Sequence, residues 1–207
     1  MTPPKRRQAG RPLKRTTEKR PELRTIMVFC EGVKSEPDYV KALKRLPHIA
    51  KNTALELRIY HEPGVPLTLV ENALVFKRDP EIDECWCLFD VEWPKHHPRL
   101  QEAISLARAN DINLAISNPC FELWLVLHFR EHRAFVNTTP VERLSRTLDN
   151  RDGKSIDADS YMALRKTAAD RAVRLDRRHE QDGTQFPHNN PSSGMHKFLK
   201  ALEGDQH

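Results

Sequence analysis

The chain has 207 residues, 30 % of them charged, with a net charge of +5, 15 prolines and only 7 glycines. That length suits one domain with a small appendage. No apolar run approaches the ~18 residues of a membrane helix, and the basic N-terminus has no apolar segment behind it, so neither a span nor a secretory signal is expected and the protein reads as soluble and cytoplasmic.

Residues 1–24 form a basic arm: nine Lys and Arg side chains stand against Glu18 and Glu22, which leaves the remainder of the chain mildly acidic. Three prolines and few apolar residues mean the arm cannot bury enough surface to order itself. Its charge suits sequence-independent contacts to nucleic-acid phosphates, as well as plain solubilisation.

The first strand is expected at about 25–30, an apolar run that stops at Glu31-Gly32. Gly32 is read as the residue that lets the backbone turn. A helix follows with Pro37 in its first turn, Val40 and Leu43 inward and Lys41, Lys44 and Arg45 outward. Leu55 to Tyr60 alternates apolar and polar residues, which suits an edge strand. The loop 61–66 precedes a helix with Leu67, Val70, Leu74 and Val75 on one face.

A third strand, 85–89, ends on Asp90, with Glu92 two residues on and a loop from Trp93 to Pro98. Leu100 to Asn110 reads as an amphipathic helix and Ile112 to Ile116 as a fourth strand. Asn118 is a good N-cap and Pro119 a good first residue for the next helix, Phe121 to Phe129, which is apolar nearly all round. Four strand–helix units in alternation predict an α/β fold: a four-stranded, mainly parallel sheet with helices on both faces, over residues 25–130. Residues 131–207 read as a helical C-terminal extension, with helices at 140–148, 157–178 (Tyr161, Leu164 and Val173 inward) and 194–202, and a loop at 179–193. The four cysteines (Cys30, Cys85, Cys87, Cys120) sit in apolar stretches and read as buried small hydrophobes.

In a parallel sheet all strands end on one side, so Glu31, Asp90 and Glu92 are expected to gather at the carboxyl edge, where open α/β sheets bind ligands. Clustered carboxylates repel unless a hard cation lies between them. Mg²⁺ suits such a set, because it takes one or two carboxylates and keeps waters for a substrate phosphate. The same three acids also fit a turn residue and two solvated loop acids. Glu36 reads first as a helix-dipole acid. Glu122, on the apolar helix, needs a partner or a metal. Ser117 and Asn118 read as caps first and phosphate contacts second. His128 is expected to be buried and hydrogen-bonded. His96 and His97, adjacent in a loop with no cysteine nearby, make a poor zinc site. Lys34, Lys154, Arg165 and Lys166 are candidate phosphate contacts, against a solvated helix face.

Four blocks carry a family resemblance: Phe29-Cys-Glu-Gly-Val-Lys-Ser-Glu-Pro-Asp-Tyr39, Leu88-Phe-Asp-Val-Glu92, Ser117-Asn-Pro-Cys-Phe-Glu-Leu-Trp-Leu-Val-Leu-His-Phe129 and Asn190-Pro-Ser-Ser-Gly-Met-His196. In this order, over about 24–202, they resemble the RloB-like proteins, a family similar to the TOPRIM fold. The resemblance implies Mg²⁺ (or Mn²⁺) held by Glu31, Asp90 and Glu92, with Glu36, Ser117, Asn118 and Glu122 as surrounding candidates. It also implies a metal-dependent nuclease acting on DNA or RNA, tRNA included, in bacterial phage defence and abortive infection, with an AAA- or ABC-type ATPase encoded alongside as partner. Glu92 stands where the family pattern has Asp, which favours the alternative of a non-cutting nucleic-acid- or ATPase-binding module on the same fold.

Overall fold

The computed structural model describes residues 23–59 and 66–204. Residues 1–22 of the basic arm expected at 1–24, and residues 60–65 of and before the loop expected at 61–66, therefore lie outside the described residues, whereas Arg24, assigned to the arm, opens the first strand.

The elements run β1 (Arg24–Cys30), α1 (Ser35–Arg45), α2 (Pro47–Asn52), β2 (Thr53–Ile59), α3 (Pro66–Lys77), β3 (Glu84–Asp90), α4 (Leu100–Ala109), β4 (Asn113–Asn118), α5 (Glu122–Phe129), α6 (Thr138–Asp149), α7 (Ala158–Met162), α8 (Arg165–Gln181), β5 (Ser192–Ser193) and α9 (Met195–Glu203). The sheet order is β2-β1-β3-β4-β5. β1 pairs in parallel with β2 and β3, and β3 with β4. The expected α/β sandwich is thus present and β2 is an edge strand. The strand count differs: β5 adds a fifth strand, antiparallel to β4, through Ser117↔Ser193 and Asn118↔Ser192. It comes from the segment expected to be loop, and it ties the C-terminal extension into the sheet itself.

Alternation along the strands divides the core in two. Ile26, Val28, Trp86 and Leu88 face α1, α5, α8 and α9, while Met27, Phe29, Cys85, Cys87 and Phe89 face α3 and α4. Strands buried on both faces need unbroken apolar runs, and β1 and β3 have them from Ile26 to Cys30 and from Cys85 to Phe89. Helix α5 is the centre of the larger half: Leu123 to Leu127 are at most 1 % exposed. At about 1.5–3 kcal/mol per fully buried large side chain, this one helix contributes more to the fold than its length suggests. All four cysteines are buried free thiols.

Three helical expectations need correction. The inward face of α3 is Leu67, Leu69, Val70 and Ala73, with Leu74 partly buried beside them, while Val75, a further turn of about 100° round the helix from Leu74, is 66 % exposed. The helix expected at 157–178 is two helices, α7 and α8, and the stripe of α8 is Ala168, Ala172 and Leu175 rather than Val173. Helix α2 lies between the first helix and the second strand, where no element was expected. Among the described residues no helix is long and apolar enough to cross a membrane.

Candidate functional site at the carboxyl edge of the sheet

β1 and β3 end side by side. The ladder runs one residue beyond Cys30, where the Glu31 amide donates to the Leu88 carbonyl (3.1 Å). Glu31 Oε2 in turn accepts the Asp90 amide (3.3 Å), so one carboxylate bridges the ends of both strands. Past Asp90 the chain is held by Val91 N–H to Ser117 O and Glu92 N–H to Pro119 O, both 2.9 Å. Glu92 adopts a left-handed backbone (φ 66°), which aims its side chain back over the edge; for a residue with a Cβ this conformation costs about 1 kcal/mol.

A cavity of about 170 Å³ opens here, lined by Glu31, Glu36, Asp90, Glu92, Glu122 and Glu142, with Lys34 and Lys154 as its only cations among the described residues. Glu36 and Glu122 are 7 % and 8 % exposed. Loss of solvation, then the fields of Glu122 and Glu31, push the Glu36 carboxyl up to about 7, against opposing pulls from its own backbone amide and Lys154. Asp90 is raised well above the usual carboxylate range by desolvation and then by Glu36, Glu31, Glu122 and Glu92. The negative charge in this pocket exceeds what its own cations neutralise.

Three of the carboxylates have distinct side-chain anchors. His97 Nε2 sits 2.9 Å from Glu31 Oε1. Thr138, the first residue of α6, donates its hydroxyl to Glu92 Oε2 (2.7 Å) and accepts the Trp93 amide (3.0 Å). Ser35 donates to Glu122 Oε1 (3.3 Å) and also lies 3.0 Å from the Lys154 carbonyl. Ser35 therefore serves the site, and α1 has no side-chain cap. Gly32 is required by contact rather than by turning: a Cβ there would lie 1.9 Å from Glu36 Oε2.

The remaining sequence candidates divide. Ser117 and Asn118 are buried strand residues (2 % and 1 % exposed), not caps, because α5 begins only at Glu122. Asn118 is instead an organiser: its Oδ1 accepts the Trp93 indole N–H (2.7 Å), and its amide group donates to Pro187 O (2.8 Å) and Asn189 Oδ1 (3.1 Å). Lys34 and Lys154 line the cavity, whereas Arg165 and Lys166 open α8 outside that lining. Arg165 is bound to Glu203 (2.6 Å) and to the Met162 carbonyl. His128 is buried as expected; its Nδ1–H donates to Trp124 O (2.8 Å), leaving Nε2 to accept the Tyr39 hydroxyl (3.0 Å), and desolvation lowers its pKa to about 4. The sequence presents His97 only as half of a poor zinc site and does not single out Thr138; nothing in their spacing links them to residues 31 and 92.

Hard carboxylate oxygens are the donor set Mg²⁺ prefers. Among the described residues, however, no three His, Cys, Asp or Glu side chains form a group that could by itself hold a metal ion. The family model for RloB-like proteins matches residues 26–202. No curated protein and no solved structure matches the chain.

Proposed function

From the premise that this chain belongs to the RloB-like protein family, we propose that it is a Mg²⁺-dependent nuclease of TOPRIM-like architecture, acting in bacterial phage defence with nucleic acid as its substrate. The observation that carries this reading is the convergence of Glu31, Asp90 and Glu92, from the ends of β1 and β3, on one pocket where burial first, and then the neighbouring carboxylates, lift the Asp90 pKa. A site of surplus carboxylate charge fits a resident cation. Glu31, Asp90 and Glu92 would hold it, with Glu36 and Glu122 behind them. A divalent ion there would polarise a phosphoryl oxygen, lower the pKa of a water and template the displacement.

The chain's own groups supply the rest. Lys34 and Lys154, both exposed at the pocket, neutralise charge that develops on the phosphate as water adds to phosphorus and the ester oxygen leaves. Glu31 is oriented by His97 and by the Asp90 amide, so its oxygens are held in place before substrate arrives.

One observation favours a second reading, that of a binding module which does not cut. The Glu92 carboxylate, at the position where the family pattern has Asp, is already engaged by Thr138. The deciding experiment incubates purified protein with plasmid, single-stranded DNA and a total tRNA pool, in Mg²⁺, Mn²⁺ or EDTA. Metal-dependent cleavage that disappears in Glu31→Gln supports the nuclease. Salt-dependent binding with no cleavage by the wild type supports the module.

A further inference from the structure

Between the acidic pocket and α8 runs the segment 131–137, which presents Phe135 58 % exposed to solvent. An exposed phenylalanine is ordinary where the chain is loose, but this one is held. Val136 is pinned from both sides by Asn190, whose Oδ1 accepts the Val136 amide (3.1 Å) and whose Nδ2 donates to the Val136 carbonyl (2.9 Å). The Phe135 ring meets Trp93 edge to face (centroids 5.2 Å apart, 83° between planes). Trp93 follows Glu92 directly and shares Thr138 with it, so this aromatic pair adjoins the acids.

Two residues before Phe135 the character changes to basic. A cavity of about 300 Å³ is lined by Arg133, Arg171, Arg174, Arg177 and Arg178, with Glu131 as its one acid among the described residues. Glu131 is shared by Arg133 (2.6 Å) and Arg174 (2.9 Å), and Arg178 also meets Asp182 at its own helix end (3.5 Å), so two carboxylates stand against the five guanidinium groups of this surface. Arg178 reaches the Arg133 carbonyl (3.5 Å), which joins α8 to the same segment. A concave surface lined by one sign of charge concentrates counter-ions, and arginine forks match phosphate oxygens.

We propose that this segment and α8 form a track for single-stranded nucleic acid, with one unstacked base on the Phe135 face and the backbone phosphates on Arg174, Arg177 and Arg178. The track defines the substrate class of the acidic pocket and rests, for its purpose, on the nuclease reading. A duplex keeps its bases stacked on one another and has none to give to Phe135, whereas single strands and loops do.

The test measures binding of the full chain in EDTA, so that cutting plays no part. Fluorescence anisotropy compares labelled single-stranded DNA and RNA with a duplex of the same sequence. Phe135→Ala is expected to weaken single-strand binding about tenfold and leave duplex binding unchanged, while Phe135→Trp, which keeps the aromatic face, binds as the wild type does. Arg174→Ala and Arg177→Ala are each expected to lower the slope of log affinity against log salt by about 0.7. Equal losses on single strand and duplex, no loss in Phe135→Ala, or an unmoved salt slope would overturn the track. A wild type that binds single strands selectively but never cuts overturns the nuclease reading and leaves the track standing.

Discussion

His97 Nε2 and Glu31 Oε1 stand 2.9 Å apart, which brings an imidazole from the loop after β3 onto the glutamate that ends β1. With the Asp90 amide on its other oxygen, Glu31 has both of its oxygens engaged. The loop after β3 is thereby folded back across the sheet edge, and the acid is fixed before any ligand is present. The hydrogen bond to Glu31 is the main reason that the His97 pKa lies above its ordinary value; the fields of Glu31 and Glu92 add to it and desolvation opposes it.

A raised pKa in the folded state means that the protonated imidazole stabilises the fold. The contribution is fully present below the unfolded value of about 6.5 and fades as pH rises through the folded pKa. In urea titrations without divalent ions, His97→Gln is expected to lower stability by about 1 kcal/mol at pH 6. The difference from wild type should be clearly smaller at pH 9. Equal losses at both pH values would mean that the pair contributes packing rather than charge.

Glu36 runs with the opposite sign. Its carboxyl is pushed up to about 7, so the fold prefers the neutral acid, and the cost of ionising it grows as pH rises from 4.5 through 7. Glu36→Gln mimics the neutral form. Without divalent ions it is expected to be close to wild type at pH 5 and more stable at pH 8.5 by on the order of 1–3 kcal/mol. A variant less stable than wild type at pH 8.5 would show that burial, and the repulsion added to it by Glu122 and Glu31, cost the ionised Glu36 less than this environment implies.

Gly32 and Glu36 share one space, since a Cβ on residue 32 would fall 1.9 Å from Glu36 Oε2 and 2.4 Å from its Cδ. Gly32→Ala is therefore expected to expel the buried carboxylate and cost about 1–3 kcal/mol. Adding Glu36→Ala clears the obstruction, so the double variant should be more stable than the sum of the single losses predicts. Strict additivity in a double-mutant cycle would sink the idea that contact, rather than backbone freedom, makes residue 32 a glycine.

Much of this was legible in the chain because period-two and period-3.6 patterns report burial, and burial decides the elements. The apolar runs that end in Glu31 and Asp90 marked both the strands and the edge at which their acids meet. Ser192-Ser193 was not legible, because a two-residue strand has no period and pairs only because β4 presents an open side. The same holds for Asn118: a good helix cap by residue type, it is drawn into β4 because its side chain satisfies Trp93, Pro187 and Asn189 together. The pairing of His97 with Glu31 and the part played by Thr138 were invisible for a different reason. Their roles come from loop closure and from the start of α6, and local propensity carries no trace of long-range pairing.

Thr138 offers the sharpest test of the Glu92 position. Its hydroxyl accepts the Trp93 amide and donates to Glu92, so it holds both the acid and the aromatic residue beside it. Thr138→Val keeps the shape and removes both hydrogen bonds, which should cost about 1–2 kcal/mol in a urea titration. If Glu92 serves the ion, losing the group that orients it should also raise the Mg²⁺ or Mn²⁺ concentration needed for half-maximal cleavage by about tenfold, as removal of outer hydrogen-bonding partners does at metal sites. The two readouts separate the roles. A stability loss with an unmoved metal dependence would leave Thr138 as a structural tie and take Glu92 out of the ion's surroundings, leaving Glu31 and Asp90 to hold it. A shifted metal dependence would mean that the extra methylene of glutamate is accommodated here by the left-handed backbone at residue 92 and the threonine that clamps it.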